Sequence, residues 1–209
     1  MRRWPKIAFV VATAAALAAC SGKEPGDASP STRGSAPSAS ASSSTSSPAD
    51  APEVRNPLNI SAFTESPCDT ISSAQIEEYF GPGIQPEARP DGPNGPECAW
   101  FTESDNVRAG IVVTFPELSS KGLSALYAHR SEYAFFEELD LIADGYPAVA
   151  YDGVDSRDQG ECAVRVGTSN DATVDINIYL SQRAIGNVDP CEAAEEVATA
   201  VIGNIQARS

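Results

Sequence analysis

Hydrophobic positions along this chain alternate between a spacing of two and a spacing of three to four, and each change of period marks an element. The clearest alternation sets Val174, Ile176, Ile178 and Leu180 against Thr173, Asp175, Asn177 and Tyr179, which predicts a strand with one buried and one wet face. Cys162, Val164 and Val166 opposite Ala163 and Arg165 predict a strand before it, and Ala148, Val149 and Tyr151 after Gly145-Tyr146-Pro147 predict another. Glu97 to Thr102, the turn residues Ser104-Asp105-Asn106, and Ile111, Val113 and Phe115 read as a hairpin. The longer period appears in three places. Ile76, Tyr79 and Phe80 follow Ser72 and Gln75, a capping-box pair, and stop at Gly81-Pro82. Leu118 to about Leu139 returns to helical spacing through Leu123, Leu126, Tyr127 and Arg130. The last helix has Asp189 as N-cap, Pro190 in its first turn, and a stripe of Ala194, Val197, Ala198, Val201, Ile202 and Ile205. Residues 81–96 are dense in Pro and Gly and read as an irregular exposed loop. The order α-β-β-α-β-β-β-α predicts an α+β domain, an antiparallel sheet of about five strands packed by helices.

That domain is expected to span residues 56–209, a length that suits one core. The chain before it has no such pattern. From Ser21 to about Arg55 it is Ser, Ala, Pro, Thr and Gly, a composition that cannot bury enough surface to offset its ordering entropy. Residues 20–55 are therefore expected to form a flexible leash with an end-to-end distance on the order of 30–35 Å. Its Ser/Thr/Pro content also suits O-glycosylation.

The first nineteen residues have the parts of an export signal: Arg2, Arg3 and Lys6, an apolar run from Ile7 to Ala19, and small residues at the end. The run is too short to span a bilayer, which needs roughly 20 residues. Leu17-Ala18-Ala19-Cys20 resembles the lipobox of bacterial lipoproteins. That resemblance implies cleavage between Ala19 and Cys20 and a diacylglyceryl group on the Cys20 thiol, which would hold the mature chain on the outer face of the cytoplasmic membrane.

Charge narrows the partners. Removing residues 1–19 takes Arg2, Arg3 and Lys6 from 14 basic residues and leaves 11 against 29 acidic, a formal charge of −18. Such a surface repels phosphate backbones, so nucleic acid is not an expected partner. With Cys20 given to lipid, Cys68, Cys98, Cys162 and Cys191 remain as an even set in an exported chain, and two disulfides are expected. Cys68 with Cys191 and Cys98 with Cys162 is the preferred pairing, joining the terminal helices and two strands. The sequential pairing, Cys68 with Cys98 and Cys162 with Cys191, is nearly as good.

No motif supplies chemistry. The sole histidine, His129, stands beside Arg130 on a predicted helix with no Gly-x-Ser-x-Gly elbow, and the four cysteines lack the Cys-x-x-Cys spacing of zinc sites. The acidic turn from Asp152 to Glu161 fails as a calcium loop, because counting from Asp155 puts Arg157 and Val166 at ligand positions. The pairs Glu137-Glu138 and Glu195-Glu196 fall on predicted helices as solvated faces. No catalytic residue, metal or cofactor is expected. Tyr179 and Trp100 are candidates for a contact surface, Trp100 more readily as core.

Phe63 with Pro67-Cys68, Cys98-Ala99-Trp100, Gly145-Tyr146-Pro147-Ala148-Val149, Cys162-Ala163-Val164 and Asp189-Pro190-Cys191-x-x-Ala194 together resemble the actinobacterial secreted lipoproteins grouped as domain of unknown function 3558. That resemblance implies no activity and no catalytic residues. The element order is also similar to the Mog1/PsbP-like fold, by analogy of fold alone. The expected function is a non-enzymatic envelope module binding an envelope protein or an apolar or glycan ligand. The alternatives are a carboxylate-based cell-wall hydrolase and a purely structural surface protein.

Overall fold

The computed structural model describes residues 51–102, 109–117 and 120–209. The signal segment, Cys20, the leash up to residue 50, the turn residues Ser104-Asp105-Asn106 and Leu118 lie outside the described residues. Helices α1 (Ser61–Glu65), α2 (Ser73–Phe80), α3 (Leu123–Ala128) and α4 (Pro190–Gln206) accompany one sheet. Its strands are β1 (Pro86–Arg89), β2 (Glu97–Phe101), β3 (Gly110–Thr114), β4 (Phe135–Glu138), β5 (Ala148–Asp152), β6 (Glu161–Gly167) and β7 (Thr173–Tyr179). They lie in the order β1-β2-β3-β7-β6-β5-β4, and every neighbouring pair is antiparallel.

The main core lies on one face of this sheet. The α4 stripe of Ala194, Val197, Ala198, Val201, Ile202 and Ile205 is 0–3% exposed. It packs against Val164 and Val166 of β6 and Val174 and Ile176 of β7. Each of its larger aliphatic side chains contributes about 1.5–3 kcal/mol by leaving water. Asp189 caps α4 by accepting from the backbone amides of Cys191 and Glu192. On α2 the Ser72–Gln75 capping box forms as the sequence predicts, and Gly81, at φ +81°, takes the positive-φ position that ends the helix.

Seven strands stand where about five were expected. β1 arises inside the Pro/Gly-rich stretch read as a loop: it is an edge strand, where Pro86 can sit without a ladder N–H to donate. β4 arises inside the stretch read as helix from Leu118 to Leu139. There α3 stops at His129, a short 3₁₀ turn spans Arg130–Glu132, and the chain then extends. Phe135 faces the main core while Phe136 meets Tyr127 and Tyr133 on the other side, an alternation that wins over helical spacing. α1, which buries Phe63, was not foreseen.

The second sheet face is not simply wet. Thr173 and Asp175 are only 5% and 8% exposed, because Leu123, Leu126 and Tyr127 of α3 pack on this face with Val149 and against Phe136 and Tyr151. Packing also begins before Asn56: Val54 is buried, and its amide donates to Asn170 Oδ1 at 2.9 Å.

The disulfides are Cys68–Cys98 and Cys162–Cys191, the sequential pairing, which corrects the preferred Cys68–Cys191 and Cys98–Cys162. The preference matched like with like, terminal helix to terminal helix and strand to strand, which says nothing about which thiols meet. What decides it is that the 3₁₀ turn Pro67–Thr70 lies on β1 and β2, whereas α4 begins over β6. Each bridge ties a helical N-terminus to the strand beneath it.

Candidate functional site

A cavity of about 690 Å³ opens between the helix layer and the end of the sheet. Two helices and two strands build it. The end of α2 supplies Tyr79 and Phe80, the first half of α4 supplies Ala193 and Val197, and β3 and β7 supply Ile111 and Ile178. Leu180 and the turn Ser181–Ala184 close one side, and Thr102 and Ala109 line the end. Its origin is local. α2 is stopped at Gly81, which leaves Tyr79 and Phe80, packed edge to face at 6.5 Å, as a short wall at its end.

The floor is apolar. Ile111, Ile178 and Val197 are 1–5% exposed, so the surfaces they still present lie inside the cleft. Polar groups gather at the mouth: the Tyr79 and Tyr179 phenols, Glu196 and Arg183. Burial, then the negative charge of Glu196 and Glu78, raises the Tyr79 pKa, so this hydroxyl stays a neutral donor through the physiological range. Tyr179 is raised by burial first and then by neighbouring carboxylates. Among the described lining residues Glu196 is the one carboxylate. An apolar trough with a few hydrogen-bonding groups at its rim is the form of a small-molecule site, and the volume falls in the usual range of about 300–1,000 Å³.

The residues singled out from sequence distribute as follows. Tyr179 lines the cleft, with its ring 5.8 Å from that of Phe101. Trp100 is 2% exposed and belongs to the core. His129 caps the end of α3, exposed, with Nδ1 3.0 Å from Glu132 Oε1. Glu137 and Glu138 sit on β4 rather than on a helix, and Glu137 accepts from Arg157 Nη1 at 2.7 Å. Asp155, in the acidic turn, is held by Arg157 at 2.8 Å, which lowers its pKa. Among the described residues no group of three or more His, Cys, Asp and Glu is placed to hold a metal ion, and no helix is long and apolar enough to cross a membrane.

Sequence reasoning reached one wall of the cleft through Tyr179 and missed the rest. Phe80 and Val197 read as parts of two ordinary apolar stripes and Ala193 falls outside both, and nothing in either stripe shows that a cleft opens between Phe80 and the first half of α4.

The sequence model of a family described as a protein of unknown function (DUF3558) matches residues 15–204, and the chain belongs to that family. No curated protein and no solved structure matches it.

Proposed function

We propose that this chain is a non-enzymatic binding module of the cell envelope, anchored through diacylglyceryl-Cys20, that takes a small apolar ligand into the cleft between α2, α4 and the sheet. The observation that carries the reading is the 690 Å³ cleft itself, floored by Ile111, Ile178 and Val197. Apolar surface left open to water in a folded domain is stabilised by whatever apolar ligand covers it. The lipobox-like stretch supports the anchor, the acidity keeps the domain off anionic headgroups, and the leash supplies reach. A helix layer over an antiparallel sheet supports kinship with the Mog1/PsbP-like fold.

Two measurements test this. Metabolic labelling with an alkynyl fatty acid should mark the full chain and be lost in Cys20→Ala, and labelling that survives the substitution would overturn the anchor. Solvent extraction of protein purified from its own host, followed by mass spectrometry, should recover a stoichiometric apolar compound. Ala193→Phe, which fills the cleft, should abolish that recovery. Equal recovery from the variant would place the ligand elsewhere.

A further inference from the structure

The sheet face opposite α4 carries a second cavity, about 240 Å³, lined by Asn94, Thr114, Tyr151, Thr173 and Asn177 and by the Arg165–Asp175 pair. We propose that it binds one neutral, hydroxyl-rich ring, a single sugar or cyclitol unit. This proposal is independent of the apolar cleft.

The argument begins with sheet register. Arg89, Glu97, Thr114, Asp175 and Arg165 are successive cross-strand partners through β1, β2, β3, β7 and β6. They form one lateral row in which two guanidinium groups and two carboxylates flank a hydroxyl. Within the row every charge is answered. Arg89 Nη1 donates to Glu97 Oε1 at 2.7 Å, and Thr114 Oγ1 donates to Glu97 Oε2 at 3.3 Å. Arg165 donates from Nε and Nη2 to the two oxygens of Asp175 at 2.5 and 2.6 Å, and the Tyr151 hydroxyl donates to Oδ2 at 3.2 Å.

What the row leaves open is neutral. Thr173 is 5% exposed and lines the pocket, yet among the described residues its hydroxyl has no hydrogen-bond partner; nor have the side-chain amides of Asn94 and Asn177. The little access Thr173 keeps is to the cavity it lines, so its hydroxyl is free to bond to a ligand there in place of water. These three groups both donate and accept, as sugar hydroxyls do.

Charge excludes the other classes. An anion placed here would meet the Asp175 carboxylate and a cation the Arg165 guanidinium, and these two, the only charged groups among the described lining residues, are already paired with each other. The volume is below the roughly 300 Å³ of drug-sized sites, which suits one ring rather than a chain. The frame is also fixed in advance. Arg165 stacks 5.1 Å over the Tyr151 ring, and Tyr133 packs edge-on against the same ring at 5.1 Å. The ligand therefore orders little on binding.

The test is an NMR titration of the purified, nitrogen-labelled full chain with glucose, N-acetylglucosamine and inositol, with inorganic phosphate as the anionic comparator. At least one neutral ring should shift the Thr173 amide and the Asn177 side-chain amide saturably, in the millimolar range. Thr173→Val and Asn177→Ser should each weaken that binding about tenfold. Three results would overturn the proposal: no saturable shift with any neutral ring, which the unsubstituted chain alone can show; shifts indifferent to both substitutions; or phosphate saturating these amides while the rings do not.

Discussion

Replacing Asp175 with alanine removes the acceptor for both Arg165 nitrogens and for the Tyr151 hydroxyl. The side chains of the pair are 19% and 12% exposed, so the guanidinium left behind has little water to replace its partner. The Asp175 carboxylate is also what keeps Arg165 charged against burial, and holds its pKa above the usual arginine range. Breaking a buried pair from one side costs about 3–5 kcal/mol, and the residual exposure of Arg165 places this case near about 3 kcal/mol. In a domain of this size that is a fall in Tm of roughly 6–12 °C. The double variant Arg165→Met/Asp175→Leu removes both charges and refills the volume, so it should lie within about 1 kcal/mol of the parent. Urea unfolding of Asp175→Ala is compared with the parent, and the parent, Arg165→Met, Asp175→Leu and the double variant give all four corners of the cycle. A single substitution costing under about 1 kcal/mol, or a double as damaging as Asp175→Ala, would refute the reasoning.

Non-reducing digestion and mass spectrometry should recover peptides joined through Cys68–Cys98 and Cys162–Cys191, and Cys162→Ala/Cys191→Ala, which opens a loop of 29 residues, should lower stability by about 3.5 kcal/mol. Thr168, fully buried, has a hydroxyl with no hydrogen-bond partner among the described residues, so Thr168→Val should be neutral or stabilising by up to about 1 kcal/mol in the same urea assay. Burial, then the negative charge of Glu138, pushes the Tyr127 phenol up to about 12. The folded state thus favours the neutral phenol, and the stability this contributes is complete below the ordinary tyrosine pKa of about 10 and is lost as pH rises through about 12. Ultraviolet titration should show a late phenolate component that Tyr127→Phe removes; an unchanged late component would contradict the assignment.

Elements with strong local signals were legible from sequence. The Ser72–Gln75 box, the Asp189 cap and the alternation from Thr173 to Leu180 each carry their geometry in neighbouring residues. β4 was not legible, because Tyr133 and Phe136 stand three apart and mimic a helix face until Phe135 is seen to need the opposite side. β1 was hidden by its prolines, which an edge strand tolerates. The cysteine pairing and the cleft depend on which elements lie side by side, and no local pattern reports that. Asp175 read as a solvated position because a charge on an alternating strand usually is one, and Arg165, its cross-strand partner, is what allows it inside.

The central claim is that the cleft between α2, α4 and the sheet holds a small apolar ligand. Fluorescence titration of the full chain, stripped of extractable ligand, with the neutral apolar probe N-phenylnaphthylamine tests it most directly. The account predicts saturable enhancement at one site, displaced by apolar competitors and abolished in Ala193→Phe with the thermal unfolding of the variant unchanged. Linear, unsaturable enhancement, or saturation that Ala193→Phe leaves intact, would contradict it.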